Sequence, residues 1–132
     1  MTIDDADKKF ATKAVHSGTN PIGGGVNTPV FLSSTYHLTE ERYAGWAAGA
    51  QHAMRYARLS SVNSEAVAAK LIAMEGAEDA ETFASGMAAV STTLLGLLSS
   101  GDHVIASPDV YGGTYGLMTE DLPRFGIEVT MA

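Results

Sequence analysis

The sequence predicts an α/β fold: a mostly parallel sheet with flanking helices, preceded by an extended arm. Three observations predict it. Short apolar runs, "AETFA" at 80–84, "HVIAS" at 103–107 and "IEVTM" at 127–131, alternate with longer helix-like stretches, an order that implies right-handed crossovers between parallel strands. A small-residue elbow, Ser85-Gly86-Met87, joins the first of these runs to a long apolar helix pattern. Residues 15–36 are rich in Gly, Pro, Asn, Ser and Thr, with one brief apolar patch, "PVFL". That marks a segment without regular structure that packs on something else.

Composition bounds the class. With 132 residues, 45% apolar and 17% charged, the chain reads as one soluble globular domain. No window approaches the roughly 18 consecutive apolar residues of a membrane span, and the acidic, polar start "MTIDDADKKFATKAVHSG" is unlike a secretory leader. The expected location is therefore cytoplasmic. The absence of cysteine excludes disulfide frameworks, thiolate nucleophiles and Cys-based zinc sites. A net charge of -7 argues against broad binding to a nucleic-acid backbone, though not against one small phosphate held by local groups.

Element by element, residues 1–12 read as a solvated lead-in carrying Asp4, Asp5, Asp7, Lys8 and Lys9. A helix is expected from Thr39, with Glu40 and Glu41 in its first turn and Gly45 and Gly49 weakening it toward residue 54. Ser64 is expected to cap a second helix, with Val67, Leu71 and Met74 on one face and a stop at Gly76. After the strand at 80–84 comes the helix "MAAVSTTLLGLLSS", apolar on most faces and so expected to be buried. Gly101-Asp102 turns the chain into the strand at 103–107; a helix from Thr114, imperfect at Pro123, leads to the strand at 127–131. Three strands leave open sheet edges, so the sequence reads as the front part of a larger protein.

Three places could carry chemistry. The elbow at Ser85, Gly86 and Met87 offers free backbone N–H groups and the positive end of a helix at a strand's carboxyl end, where anions bind. Gly86 lets a ligand approach the backbone; the plain alternative is a tight turn capped by Ser85. Tyr56 and Arg58 in "MRYARLSS", two residues apart, project to one side of an extended segment and suit phosphate oxygens. The alternative is a packed Tyr beside a surface Arg. Tyr111, in "DVYGGTYG" just after the second strand, can lay its ring on a flat ligand or serve in packing.

The segments "TPVFLSSTYH", "YAR", "LIAMEGAEDAETFASGMAAV", "LLSSGDHVIASPDVYGGTYGL" and "RFGIEVTM" together resemble, in order and spacing from about Thr12 onward, the Cys/Met metabolism family of pyridoxal-phosphate (PLP) enzymes. That family includes cystathionine γ-synthase, cystathionine γ-lyase, methionine γ-lyase and O-acetylhomoserine sulfhydrylase. The resemblance implies an aspartate-aminotransferase-like (type I) PLP fold, with residues 1–55 as an arm contacting a neighbouring subunit. Residues 56–132 would then be the first part of the large cofactor domain. It implies phosphate binding by the amides of Gly86 and Met87 beside Ser85. Tyr56 and Arg58 would reach the phosphate of the neighbouring subunit's cofactor, and Tyr111 would stack on the pyridine ring and assist catalysis. The implied enzyme is a homotetramer with shared active sites, working by γ-elimination or γ-replacement on cystathionine, methionine or an O-acyl-homoserine.

The chain also departs from the family pattern. Where the family has Gly-Asn-Pro-Thr, Ser60, Ser61, Val62 and Asn63 stand here, the mark of a divergent branch. The lysine that carries the cofactor, the Asp at its ring nitrogen and the Arg for the substrate carboxylate lie beyond residue 132 in this family. Lys8, Lys9, Lys13 and Lys70 are not in positions to replace that lysine. The rival readings are a non-catalytic truncated segment that binds a partner subunit; a dinucleotide site at Gly23-Gly24-Gly25, which lacks the G-x-G-x-x-G pattern; and a metal site from His16, His37, His52 and His103, whose spacing matches no ligand motif.

Overall fold

The computed structural model describes residues 7–19, 23–49 and 55–132. The chain divides into two compact units, Met1–Thr82 and Phe83–Ala132.

In the first unit, helix α1 spans Phe10–His16, α2 spans Glu40–Ala47 and α3 spans Val62–Glu75. The α1 helix corrects the expectation of a bare lead-in. Lys9 gives it no side-chain cap, so the local sequence carries a weak start signal. The helix is held instead by tertiary contacts: Lys70 Nζ on α3 donates to the carbonyls of Ala14 (3.2 Å) and Val15 (2.8 Å) at its C-terminal end, where a cation also meets the negative end of the dipole. Gly18, at φ +65°, then passes so close to α3 that a Cβ there would lie 2.5 Å from the Ala66 carbonyl oxygen.

The α2 helix begins where expected, its Thr39 cap accepting from the Arg42 N–H with Glu40 and Glu41 in the first turn. It ends at Ala47, and residues 50–54 of the expected helix lie outside the described residues. The α3 helix starts three residues earlier than the Ser64 expectation. Ser61 is its cap, accepting from the Ser64 N–H, while the Ser64 hydroxyl accepts from the Ser61 N–H. This is a capping box closed by Ser where Glu or Gln is usual, which is why Ser64 mimics a cap in the sequence. Gly76, left-handed at φ +67°, ends the helix as expected.

The segment around residues 29–31 is tied to α3 by the side chain of Asn63. Asn63 Oδ1 accepts from the Phe31 N–H (2.8 Å) and its Nδ2 donates to the Pro29 carbonyl (2.9 Å), so the amide stands in for a neighbouring strand. Further on, Thr35 and Tyr56 form an antiparallel bridge, with Tyr36 N–H donating to the Arg55 carbonyl and Ala57 N–H to the Ser34 carbonyl.

In the second unit, α4 spans Gly86–Leu97, β1 spans His103–Ala106, α5 spans Gly112–Gly116 and β2 spans Glu128–Met131. The two strands pair in parallel, Val104 opposite Val129 and Ala106 opposite Met131. Between α5 and β2 the helix widens into a π turn, Leu117–Asp121, and tightens into a 3-10 turn, Leu122–Phe125. The Leu122 N–H donates to the Leu117 carbonyl, five residues back. Leu117, Met118 and Leu122 are all buried, and with Ile127 they form the core. Val104, Ala106, Val129 and Met131 pack on it from one face of the sheet, and Met87, Val90 and Leu94 from α4.

Two expectations are corrected in this unit. Residues 80–84 join no ladder, so the sheet among the described residues has two strands, not three. A strand exists only by pairing, and its propensity cannot supply the partner. The α4 helix is apolar on most faces but not buried: Leu95 is 44% and Leu97 78% exposed. Only the stripe through Met87, Val90 and Leu94 meets the core.

Candidate functional site

The head of α4 is built by a short rule of backbone chemistry. Ser85 is extended (φ -155°, ψ 159°) and its hydroxyl accepts from the Ala88 N–H at 3.1 Å. That occupies one of the four first-turn donors a helix leaves without an internal partner. The N–H groups of Gly86 and Met87 have no acceptor among the described residues. They stand at the positive end of a 12-residue helix, the arrangement that favours an anion.

Among the described residues nothing requires glycine at position 86. Its backbone is not left-handed, and a Cβ there would meet no described atom within 4 Å. The turn geometry therefore does not demand glycine here, and the backbone at this point is open to close approach.

The opposite wall comes from the loop after β1. Tyr111 is the N-cap residue of α5, and its side chain is 74% exposed at the rim. Thr114, in the first turn of α5, donates its hydroxyl to Met87 Sδ at 3.6 Å, joining the two helix heads. Ser85, Gly86, Met87, Val90, Tyr111 and Thr114 line a cleft of ≈ 480 Å³. Four residues singled out in the sequence, Ser85, Gly86, Met87 and Tyr111, thus converge on one concavity with a polar head and an apolar wall. Val90 and Thr114 were not singled out. Val90 lies one helical turn from Gly86 and Met87, and Thr114 stands three residues after Tyr111, so helix periodicity could have found both.

Tyr56 and Arg58 belong to the first unit and are brought together there. The segment is not extended as expected: after the Thr35–Tyr56 bridge the chain turns, with Leu59 and Ser60 N–H groups both donating to the Tyr56 carbonyl. The turn lays the Arg58 guanidinium over the Tyr56 ring, 5.2 Å from its centroid, a cation–π distance. The neighbouring Arg55 does the same on Trp46, at 4.5 Å.

Among the described residues no group of three or more His, Asp or Glu is placed to hold a metal ion, and His52 lies outside them. Within the same residues no helix is long and apolar enough to cross a membrane.

The family model for Cys/Met metabolism PLP-dependent enzymes matches residues 11–132. An L-methionine γ-lyase of Porphyromonas gingivalis is 36% identical over 124 residues, covering 92% of this chain and 31% of the relative. A cystathionine β-lyase of Bacillus subtilis is 40% identical over 121 residues, covering 90% of this chain and 29% of the relative. Among solved structures, the cystathionine γ-lyase of Lactobacillus plantarum complexed with L-serine superposes with a TM-score of 0.80 at 32% identity, covering 95% of this chain and 31% of that one. The chain spans about a third of the length of the relatives it matches. A match running through nearly the whole chain in both sequence and fold leaves one conclusion: the chain belongs to the Cys/Met metabolism family of PLP-dependent enzymes.

Proposed function

We propose that the protein to which this chain belongs acts on sulfur amino acids by γ-elimination or γ-replacement, with cystathionine, methionine or an O-acyl-homoserine as substrate. The reading is supported most directly by the two first-turn N–H groups, Gly86 and Met87, that line the cleft rimmed by Tyr111. The residues present fit the family's cofactor. An anionic phosphate suits the unaccepted N–H groups and the dipole end, and the space beside Gly86 admits it without steric conflict. When bound, PLP supplies the electron sink for the charge left at the substrate's Cα.

The chain's own residues divide the remaining work. Gly86 and Met87 hold the phosphate through backbone N–H groups, while Ser85 keeps the head of α4 formed. Tyr111, at the rim of the cleft, would lay its ring on the cofactor's flat face and assist catalysis. Tyr56 and Arg58 reach the phosphate held by a neighbouring subunit, the guanidinium lying over its own tyrosine ring at 5.2 Å. Residues 1–55 form an arm on that neighbour and 56–132 the first part of the cofactor domain. The assembly is a cytoplasmic homotetramer of two dimers with shared sites.

The test is a substrate survey with the intact enzyme, following keto acid, ammonia and thiol release against thiol addition. Turnover of one of the three substrates with loss or exchange of its γ-substituent is the expected result. A protein that binds PLP but only transaminates these amino acids would refute the reading. Replacing Arg58 with Ala is expected to weaken cofactor retention by about 1.5–3 kcal/mol, the contribution of a charged hydrogen bond.

A further inference from the structure

We propose that Gly113 and Met87 are positioning residues that fix the ring of Tyr111 at the mouth of the cleft. The proposal rests on the reading of that cleft as the cofactor site. The Tyr111 hydroxyl has no hydrogen bond among the described residues, and the side chain is 74% exposed. A ring in that situation samples its rotamers unless packing restrains it. The surroundings of residue 113 supply the restraint. A Cβ added at Gly113 would lie 2.8 Å from Tyr111 Cε1, 3.3 Å from Cδ1 and 3.2 Å from Met87 Sδ. Ring edge and sulfur therefore flank the same point, directly over the backbone of residue 113. This brings the thioether within reach of the favourable sulfur–aromatic contact, which operates at about 5 Å.

The need for glycine is local to this one position. Gly112 and Gly116, on either side in the same helix, would each accept a Cβ that meets no described atom within 4 Å. Gly113 is at negative φ, so alanine there is compatible with the helix backbone, and what obstructs it is the Tyr111 ring first and the Met87 sulfur second. The sulfur is itself held, because Thr114 donates its hydroxyl to it at 3.6 Å. One residue of the phosphate-binding elbow thus contributes its amide to the anion and its side chain to the aromatic wall.

This predicts a variant whose helix survives while its ring moves. The intact apoenzyme would be labelled with [13C]methyl methionine, and the Met87 line assigned by its loss in Met87→Leu. In the wild type that line is expected to carry a ring-current shift that disappears in Tyr111→Leu and in Gly113→Ala, and persists in Gly116→Ala. With PLP added, Gly113→Ala is expected to lower cofactor affinity about threefold to tenfold, the loss of one aromatic contact. It should also change the visible circular dichroism of the bound cofactor. A Met87 line unmoved in Gly113→Ala, or moved equally by Gly116→Ala, overturns the proposal. So does a moved line with unchanged affinity and dichroism. If Tyr111→Leu itself leaves affinity and dichroism unchanged, the stacking reading beneath the proposal is what fails.

Discussion

The hydroxyl of Thr114 donates to the sulfur of Met87 across 3.6 Å, joining the first turn of α5 to the first turn of α4. Those two turns follow different parts of the chain, 27 residues apart, and their backbones carry the two halves of the cleft. The bond is thus a fastening between the head of α4 and the rim of the cleft at Tyr111. Met87 also packs against the core of Leu117, Met118, Leu122 and Ile127, so the fastening is anchored in the most buried part of the unit.

Removing that hydroxyl while keeping the shape tests its weight. Thr114→Val is expected to cost about 1 kcal/mol, the usual net contribution of a neutral hydrogen bond, read as a shift of the urea midpoint with the slope unchanged. Thr114 is half-buried, so a loss beyond about 3 kcal/mol would mean that it packs the cleft wall more than it fastens it.

Ser85→Asp separates folding from anion binding. Aspartate caps helices as well as serine, and its charge at the positive end of α4 favours the helix by about 0.3–1 kcal/mol. The same charge repels a phosphate held by Gly86 and Met87. Stability is therefore expected to hold or rise while PLP affinity falls, measured by thermal unfolding of the apoenzyme and by cofactor titration. A joint fall of both would show that Ser85 contributes something other than its cap.

What was legible in the sequence is what local chemistry decides. Thr39 and Ser85 announce their helices because a cap needs only its next three residues. Likewise β1 and β2 show as short apolar runs bounded by turn signals, with Gly126 left-handed at φ +75° just before β2. The misses are decided from a distance. The α1 helix lacks a side-chain cap and depends on Lys70, more than 50 residues away. Residues 80–84 have strand composition, but pairing is a property of two segments. Gly113 reads as one of two interchangeable glycines until the Tyr111 ring is seen lying over it.

Asn63 is expected to govern the order of the segment around residues 29–31. Its amide satisfies the Phe31 N–H and the Pro29 carbonyl together, so Asn63→Ala releases two backbone groups at once. The expected loss is about 2 kcal/mol, at roughly 1 kcal/mol for each bond. Limited proteolysis should become faster within residues 23–36, where Val30 and Leu32 are already 78% and 93% exposed. Proteolysis at the wild-type rate would show that the segment is held by other contacts.

The docking of α1 is expected to turn on Gly18, and a pair of substitutions separates its two demands. Gly18 and Gly23 are both left-handed, at φ +65° and +67°, so alanine at either site carries the same backbone strain of about 1–2 kcal/mol. They differ in surroundings. A Cβ at Gly23 meets no described atom within 4 Å, whereas one at Gly18 lies 2.5 Å from the Ala66 carbonyl oxygen and 2.9 Å from the Ala69 Cβ. Neither atom is the end of a flexible side chain, so the helices must part for the methyl to fit. Overpacking of this kind adds about 1–3 kcal/mol. Gly18→Ala should therefore destabilise the protein by that much more than Gly23→Ala in parallel unfolding curves. Separating the helices also stretches the bonds from Lys70 to Ala14 and Val15, so amide exchange in α1 should quicken in Gly18→Ala and not in Gly23→Ala. Equal losses in the two variants would mean that the approach of residue 18 to α3 contributes nothing to stability.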